Sequence, residues 1–375
     1  MGGRMIRVAV VGIGKMGVSH LSIVRAHPDI EVVAICDSAG YVLDVLSKYT
    51  GLETFTDFKR MLDTRDLDAV LIATPTASHV PLVREALHRG LHVFCEKPLS
   101  MSSGESLELA DLARASNAVT QVGYHNRFVG AFQEVKRLLE AETVGQVTHV
   151  LAESYGPVVL RTKGNTWRSK RETGGGCLFD YAAHPLDLLT WYFGAPVSVG
   201  GTVLGSIFSP ETDDEVYSTL RYPSRVSAQL SVNWSDESHR KMTTKMTIWG
   251  TKGKIVADRQ ECQVYLRDTA TLPEGYRHGW NVRYTTELTQ PVWFYLRGEE
   301  YSAQIDYFVR SIQAAANGSP RDQQNSFASA AVTDRVIEML TAAAAAGDAT
   351  ESAAPAPTAA PRRTLFARRL ALTTR

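Results

Sequence analysis

The sequence predicts an α/β protein of two domains: a parallel sheet covered by helices, followed by an α+β domain with a mostly antiparallel, open sheet. Three observations predict it. Continuous apolar runs alternate with helical patterns up to residue 125, a glycine-rich turn follows the first run, and strands that alternate apolar and polar residues dominate from residue 126. Apolar strands are typical of parallel sheets buried on both faces, whereas alternating strands leave one face of a sheet uncovered. A chain of 375 residues is long enough for both domains.

The elements of the first domain, residues 1–125, follow each other as strand and helix. Each predicted strand is a short apolar run, and each predicted helix has apolar residues at helical spacing. The strands are expected at 6–11, 30–35, 69–73, 91–95 and 119–122, with a helix after the glycines and further helices at 41–48, 80–89 and 103–115.

The second domain, residues 126–340, begins with a helical pattern at 129–140 and ends with two more at 299–316 and 325–345. Between them the predicted strands are 146–155, 197–207, 214–222, 226–234, 243–249 and 254–266. Because a face of this sheet is left without helices, we expect it to be buried against another copy of the chain, in a homodimer or homotetramer.

The last stretch, residues 341–375, is predicted to be a disordered tail. Residues 341–361 are dominated by Ala, Thr and Pro, and residues 362–375 carry five arginines and no acid. The alternative is a basic amphipathic anchor that would use Leu365, Phe366, Leu370 and Leu372.

Charge and cysteine content exclude several classes of protein. Forty basic and forty acidic residues cancel, which gives no electrostatic reason to expect nucleic acid or an anionic membrane as a partner. The four cysteines, at 36, 95, 177 and 262, have no metal-ligand spacing, so no bound metal is expected. Unpaired cysteines are typical of a reducing compartment, so a cytoplasmic location is expected. The first residues are not expected to form a secretory signal, because the apolar run at 8–13 is short and ends in glycines.

The glycine-rich turn has the spacing G-x-G-x-x-G, directly after the first strand and at the start of a helix. In that context the first glycine permits a tight turn, the second lets a pyrophosphate approach the backbone, and the third lets the helix pack on the strand. The sequence therefore predicts a Rossmann dinucleotide-binding domain. Its phosphate loop consists of Gly12, Ile13, Gly14, Lys15, Met16 and Gly17.

Asp37 ends the second strand, twenty residues after Gly17. A carboxylate there can accept hydrogen bonds from both ribose hydroxyls of an adenosine and would repel a 2′-phosphate. Ser38 is small and no arginine stands beside it, which favours NAD, with NADP left possible. The alternative is that Asp37 caps the next helix, and one residue can do both.

Four further motifs carry a resemblance to a known family. They are Thr74-Pro75-Thr76-Ala77-Ser78-His79, Glu96-Lys97-Pro98, the segment Gly174-Gly175-Gly176 followed by Asp180, His184 and Asp187, and Ile248-Trp249-Gly250-Thr251-Lys252-Gly253. With the phosphate loop they resemble, in order and over residues 5–340, the Gfo/Idh/MocA family, which includes glucose–fructose oxidoreductase and inositol dehydrogenases. Thr76 and Ala182 depart from the commonest pattern, where many members have Asn and Gly.

The resemblance implies an NAD(P)-dependent oxidoreductase in which Lys97, Asp180 and His184 form the catalytic group, with His184 as acid and base. It also implies a cis peptide bond between Lys97 and Pro98, and a place beside the cofactor for Thr74, Pro75, His79, Glu96 and Lys97. The residues themselves suit this chemistry. An imidazole can exchange the hydroxyl proton of an alcohol at neutral pH, and an ammonium group can hold the reacting oxygen.

The substrate is expected to be a polyol or sugar, bound by Lys97, Asp180 and His184 with help from Arg127, Trp167 and Arg168. Each of three residues has a structural alternative. Arg168 could be a surface arginine packed on Trp167, and Arg127 could be an interdomain ion-pair partner. His79 could be a structural cap. Two other functions stay open at this point. One is a glycosidase of the same fold that uses NAD catalytically, and the other is a sensor that binds a dinucleotide without turnover.

Overall fold

The computed structural model describes residues 4–159, 167–318 and 324–351. The first domain is a six-stranded parallel sheet with five helices, and it confirms the predicted fold class. Its strands are β1 (Ile6–Val11), β2 (Ile30–Cys36), β3 (Glu53–Phe55), β4 (Ala69–Ile72), β5 (His92–Cys95) and β6 (Thr120–Val122). Its helices are α1 (Lys15–Arg25), α2 (Gly40–Thr50), α3 (Phe58–Thr64), α4 (His79–His88) and α5 (Ser103–Ala115).

The strand order β3-β2-β1-β4-β5-β6 places the reversal of direction between β1 and β4. In open α/β sheets, ligands bind at such a reversal, outside the carboxyl ends of the strands. The buried apolar runs that predicted the strands are the reason for this arrangement, since Val10, Val70 and Val93 are sealed from solvent on one face or the other of the sheet.

The second domain is an eight-stranded sheet with helices on one side. Its elements are α6 (Gly130–Glu140), β7 (Val147–Tyr155), α7 (Ala183–Phe193), β8 (Ser198–Gly205), β9 (Glu215–Arg221), β10 (Ser227–Asn233), β11 (Lys245–Gly250), β12 (Gly253–Ala257), β13 (Glu261–Leu266), β14 (Gly279–Tyr284) and α8 (Thr285–Leu288). The order is β14-β13-β12-β11-β7-β10-β9-β8. β7 and β10 run parallel and the other neighbours antiparallel, as predicted for a mostly antiparallel sheet.

The two faces of this sheet differ as the alternating pattern predicts. One face buries apolar side chains against the helices, whereas the outward side chains of the edge strand β14 are half exposed. There, Trp280 is 49% and Tyr284 51% accessible. No helix in the described ranges is both long and apolar enough to cross a membrane.

Of the last two helices, α9 (Glu299–Ala316) packs on the first domain, whereas α10 (Phe327–Glu351) packs against elements of both domains. α9 buries Ile305 and Phe308 in the same cluster as Ile23 of α1, and α10 packs against both α5 and α7. The sequence predicted both helices from their periodicity and assigned them to the second domain, but periodicity does not show which surfaces a helix covers.

The helix α10 also continues beyond the predicted boundary at 341, through the first eleven residues of the expected tail. Alanine has the highest helix propensity, so the Ala-rich run after Thr341 extends the helix, although its composition suggested disorder. Residues 352–375, with the basic anchor alternative, lie outside the described residues.

Smaller differences have local causes. β3 has three residues, too few for a periodic pattern. β14 alternates Trp280, Val282 and Tyr284 with polar residues, but it was not predicted as a strand. The predicted strand at 254–266 is two strands joined by a turn, in which Asp258 Oδ1 accepts a hydrogen bond from the backbone N–H of Gln260 (2.7 Å). All four cysteines are buried free thiols.

Candidate active site

The glycine-rich turn lies between β1 and α1 and forms an open cradle. Gly12 has a φ of +85°, and a Cβ there would lie 2.7 Å from the backbone nitrogen of Thr74. A Cβ on Gly17 would lie 1.8 Å from the carbonyl oxygen of Gly12, so only glycine permits this packing. At Gly14, by contrast, no described atom lies within 4 Å of the Cβ position. The turn is therefore open where α1 begins, which fits a pyrophosphate at the helix N-terminus.

Asp37 braces this turn from the end of β2. Its Oδ2 accepts a hydrogen bond from the backbone N–H of Ile13 (2.5 Å), and its Oδ1 accepts one from Ala39 (2.8 Å), just before α2. The carboxylate keeps lone pairs for ribose hydroxyls. Ser38 beside it is exposed. The adenosine end of the crevice thus carries a negative charge and a small polar side chain, as an NAD site requires.

Thr74 and His79, in the segment after β4, differ in whether their polar atoms have partners within the protein. The hydroxyl oxygen of Thr74 is buried and has no hydrogen-bond partner among the described residues, so it is a polar atom that a bound cofactor can satisfy. His79 differs from the expectation. Its Nδ1 lies 2.9 Å from the carbonyl oxygen of Pro98, and its Nε2 lies 3.0 Å from that of Thr74. His79 therefore ties the loop after β4 to the loop after β5, which is the structural alternative, and burial lowers its pKa.

The segment after β5 has the cis peptide bond between Lys97 and Pro98 that the resemblance implied. Glu96 lies under it, with Oε1 2.7 Å from His20 Nε2 on α1 and Oε2 accepting a hydrogen bond from the backbone N–H of Lys97 (3.1 Å). Burial alone would raise the pKa of Glu96, but the hydrogen bond and charge of His20 and the charge of Lys97 outweigh burial and lower it. Glu96 is thus a buried anion that links α1 to the lysine.

Lys97 is the centre of the candidate site. Its Nζ donates to Oδ1 of Asp180 at 2.9 Å and to the carbonyl oxygen of Asp180 at 2.8 Å. Asp180 Oδ2 also accepts a hydrogen bond from Nε of Arg168 (2.8 Å), whose guanidinium stacks on Trp167 at 4.6 Å. Burial alone would raise the pKa of Asp180, but the two cations hold it well below its usual range. The structure therefore brings these four predicted residues together.

The three glycines before Asp180 explain why the chain can approach so closely. A Cβ on Gly175 would lie 2.4 Å from the carbonyl oxygen of Arg168, and one on Gly176 would lie 2.6 Å from Asp213. The glycines thus let the Trp167-Arg168 segment pack directly on the turn that carries Asp180. That turn is π-helical, from Leu178 to Ala182, and leads into α7, so Pro185 stands in the first turn of α7, where proline is tolerated.

His184 lies on α7 and is 4% exposed. The structure shows no hydrogen bond between it and Asp180, which is already bonded to Lys97 and Arg168. Burial, followed by the charge of Lys97, holds the pKa of His184 well below its ordinary value. The ring is therefore neutral at neutral pH and suited to accept a proton.

Arg127 forms an ion pair, which was the second of its two alternatives. This corrects its assignment as a substrate-binding residue. Its Nε and one terminal nitrogen donate to the two oxygens of Asp187, at 2.8 and 2.6 Å, and the other terminal nitrogen donates to the backbone carbonyl of Gln324. Its side chain is 3% exposed. The whole guanidinium is thus used inside the protein.

A further group of residues at the same site was not predicted from the sequence. His125 contacts the ring of His184, and Tyr301 stacks on His125. The positive charges of Lys97 and Arg259 act on both histidines. The position of His125, two residues before Arg127 at the joint between domains, was the only available signal. Nothing in the sequence brings residues 259 and 301 to this place.

The predicted cofactor residues lie together at the carboxyl edge of the parallel sheet. They are Gly12, Ile13, Gly14, Lys15, Met16, Gly17, Asp37, Ser38, Thr74, Pro75, Glu96 and Lys97. Within residues 4–159, 167–318 and 324–351, no three His, Cys, Asp or Glu side chains are arranged to hold a metal ion.

Comparison with known proteins agrees with this geometry. Residues 6–124 match the model of an oxidoreductase family with an NAD-binding Rossmann fold, and residues 132–256 match the GFO/IDH/MocA C-terminal domain. A dTDP-3,4-didehydro-2,6-dideoxy-alpha-D-glucose 3-reductase from Streptomyces violaceoruber is 26% identical over 90% of this chain and 94% of its own. An inositol 2-dehydrogenase from Rhizobium meliloti is 23% identical over 89% and 97%. Levoglucosan dehydrogenase in complex with NADH and L-sorbose has the same fold, with a TM-score of 0.81, 22% identity and coverage of 92% and 98%.

Proposed function

The chain belongs to the Gfo/Idh/MocA family of NAD-binding oxidoreductases, and from that premise we propose that it transfers a hydride between NAD and a ring secondary alcohol, or the matching ketone, of a sugar, sugar derivative or inositol. One observation carries the proposal. Lys97 and Asp180 form an ion pair between the two domains at the carboxyl end of β5, where a Rossmann fold binds its dinucleotide, and His184 lies close enough for the charges of both to act on its ring.

The chain's own residues handle the proton and the charge. Bound NAD supplies the hydride acceptor or donor. In alcohol oxidation, neutral His184 takes the hydroxyl proton as the C–H electron pair leaves and the C=O bond forms. Lys97 Nζ holds the reacting oxygen and stabilises the negative charge that develops on it. Asp180 orients Lys97 and offers an acceptor for a neighbouring hydroxyl. Reduction of the ketone uses the same groups in reverse.

The side chains around this centre suit a neutral, many-hydroxyl substrate. Asp180 and Arg168 offer directional hydrogen bonds, and Trp167 offers an apolar face for the C–H side of a ring. A simple 2-hydroxy acid needs an arginine free to clamp its carboxylate. Arg127 is occupied by Asp187, which removes one of the two arginines considered for that task. The relatives named above act on a dTDP sugar and on inositol by their names.

The test is a panel of inositols, sugars and sugar nucleotides with NAD and with NADP, in which absorbance of the reduced cofactor is followed. We expect net NADH and a keto-sugar or inosose, faster with NAD than with NADP, in the presence or absence of EDTA. Product without net NADH would instead indicate an NAD-dependent glycosidase. Activity restricted to open-chain hydroxy acids, or lost with EDTA and restored by zinc, would contradict the proposal.

Two further proposals concern the environment of the chain. The four buried free thiols support a reducing compartment such as the cytoplasm. The uncovered face of the second sheet supports a homodimer or homotetramer in which a second copy covers Trp280 and its neighbours.

A further inference from the structure

The histidine that takes the proton has a second histidine packed against it. The ring centre of His125 lies 4.9 Å from that of His184, with the planes at 67°. The ring of His125 also stacks on Tyr301, at 4.6 Å and 19°. The guanidinium of Arg297 lies over the Tyr301 ring, 5.3 Å from its centre. Arg297 has a φ of +68°, a backbone conformation that costs energy outside glycine and is found at functional sites.

Each of the two rings has one nitrogen that lacks a partner. Nδ1 of His184 and Nε2 of His125 are both buried, and neither has a hydrogen-bond partner among the described residues. A neutral imidazole has one N–H donor and one acceptor nitrogen. Two imidazoles in edge contact can therefore satisfy each other, whereas each buried nitrogen left unpaired costs roughly 1–3 kcal/mol.

We propose that His125 is a positioning residue for His184: a small rotation of the two rings, which the structure shows in contact but not hydrogen-bonded, lets Nε2 of His125 accept the Nδ1–H of His184. This bond fixes the tautomer of His184 that presents an unprotonated Nε2 to the substrate hydroxyl. The inference rests on the proposed function in that His184 is the group that takes the proton. A base oriented by a third group is the arrangement that makes proton transfer from a hydroxyl efficient.

The charges around the two rings agree with this assignment. Burial holds the pKa of His125 well below its ordinary value, and nearby positive charges act in the same direction, so the ring stays neutral and able to accept. When His184 takes the substrate proton, the resulting imidazolium still donates its Nδ1–H to His125. The charged groups that act on one ring or both come from four segments: Lys97 after β5, Asp180 before α7, Arg259 between β12 and β13, and Arg297 before α9.

Tyr124 is the rival partner for His184. Its hydroxyl is also buried without a partner among the described residues, and its ring centre lies 6.5 Å from that of His184. His125 is favoured because its ring is closer and because Tyr301 holds it in place by stacking. The test therefore needs variants of both His125 and Tyr124.

The test compares three replacements of His125. In His125→Gln the amide reaches the place of Nε2, in His125→Asn it reaches only the place of Nδ1, and His125→Phe keeps the stacking on Tyr301 without any acceptor. We expect His125→Phe and His125→Asn to lower kcat by about 10- to 100-fold with KM nearly unchanged, and His125→Gln to recover most of the loss. Tyr124→Phe should change kcat little. His27→Gln, at a buried histidine that pairs with Asp306 outside the site, is the matched control for the general cost of such a change.

The pH profile separates positioning from a merely structural role. Without the acceptor, the imidazolium of His184 is less stable, so the acid limb of kcat/KM for alcohol oxidation should move to lower pH in His125→Phe while the plateau falls. A loss of packing alone would lower the plateau and leave the limb in place. The profile is compared with those of His125→Gln and His27→Gln.

A measurement without substrate keeps the inference independent of the proposed reaction. ¹⁵N NMR of the NAD-bound protein with labelled histidines should show His184 as the Nδ1–H tautomer in the parent and as a mixture in His125→Phe, with the signal assigned by its loss in His184→Gln. If the parent shows this tautomer but turns over no sugar or inositol, the proposed function fails and the pairing stands. If the tautomer and the acid limb are the same in His125→Phe and the parent, or if Tyr124→Phe produces the changes instead, the inference is overturned.

Discussion

Two ion pairs stand seven residues apart on one stretch of chain, and they do different things. Asp180, in the π-helical turn, pairs with Lys97 at 2.9 Å, and Asp187, on α7, pairs with Arg127 at 2.6 Å. Both acids are buried. Lys97 is 12% exposed, whereas the Arg127–Asp187 pair is sealed, at 3% and 0%. The same pairing of an acid with a base thus occurs once at the edge of a cleft and once in the interior.

The difference lies in what else each acid contacts. Asp180 has a second cation, Arg168, which is 43% exposed, so the pair can admit a substrate hydroxyl without stranding a charge. At Asp180 burial raises the pKa, but the two cations outweigh burial and leave the pKa lowered. For Asp187, burial outweighs the single guanidinium and raises the pKa. We expect the accessible pair, which has a spare cation, to serve the proposed reaction, and the sealed pair, which has one cation, to join two parts of the fold.

The first prediction removes the cation of the accessible pair. Lys97→Met should lower turnover by about 10³-fold or more, because the charge at the reacting oxygen is stabilised mainly in the transition state. NAD binding, measured by quenching of protein fluorescence, and the midpoint of urea unfolding should stay close to those of the parent. Turnover within tenfold of the parent would contradict the role of Lys97.

The second prediction makes the same change in the sealed pair. Arg127→Met leaves the carboxylate of Asp187 buried without a cation, which should lower the free energy of unfolding by about 3–5 kcal/mol. Urea unfolding measures this loss. At a low temperature at which Arg127→Met is still folded, its kcat should stay within a few-fold of the parent value.

A double variant is the control. Because replacing both partners of a buried pair by apolar side chains is often nearly neutral, Arg127→Met with Asp187→Leu should recover much of the stability that the single change loses. An unchanged unfolding midpoint in Arg127→Met would show that the pair does not hold the fold.

The third prediction concerns pH. In the proposed reaction His184 acts as a base in its neutral form, so kcat/KM for alcohol oxidation should fall as the pH drops through the pKa of His184. Because burial and the charge of Lys97 lower that pKa below 6.5, the rate should be flat from about pH 6.5 upward and decline only at lower pH. A pH–rate profile with an acid limb centred at or above pH 7 would contradict a neutral, buried base.

The two ion pairs also show which site residues could be predicted from the sequence and which could not. Gly12 was predicted from the spacing of the phosphate loop, whereas Lys97 and Asp180 were assigned through the resemblance to the family, which rests on motifs that each lie within one short segment. The fate of Arg127 was left open, since only packing in space decides whether an arginine meets substrate or an aspartate.

His125, Arg259 and Tyr301 were not identified as site residues for a related reason. They lie on separate segments of the chain, and no local pattern in the sequence brings them beside His184. Helix α9 itself was predicted from its periodicity, but the domain that it covers was not.

The fourth prediction tests the spare cation. Arg168→Gln removes a half-exposed partner of Asp180 while Lys97 remains, so the effect should be moderate, about tenfold in kcat/KM and mostly in KM. Steady-state kinetics with the best substrate of the panel measure it. A loss as large as that of Lys97→Met would mean that Arg168 acts on the reacting atoms themselves.

The last prediction concerns a surface that neither pair touches. The outward side chains Trp280 and Val282 of β14 are 49% and 41% exposed in the single chain, and the proposed second copy would cover them. Charges there would have to be desolvated in that contact without a partner, so Trp280→Lys with Val282→Lys should give a monomer by light scattering at micromolar concentration, where the parent is a dimer or tetramer. Both ion pairs lie within one chain, so kcat and the urea midpoint of the folded monomer should change least of all the variants. A parent that is already monomeric would remove the assembly proposal, and a monomer that has lost activity would show that the cleft depends on the second copy.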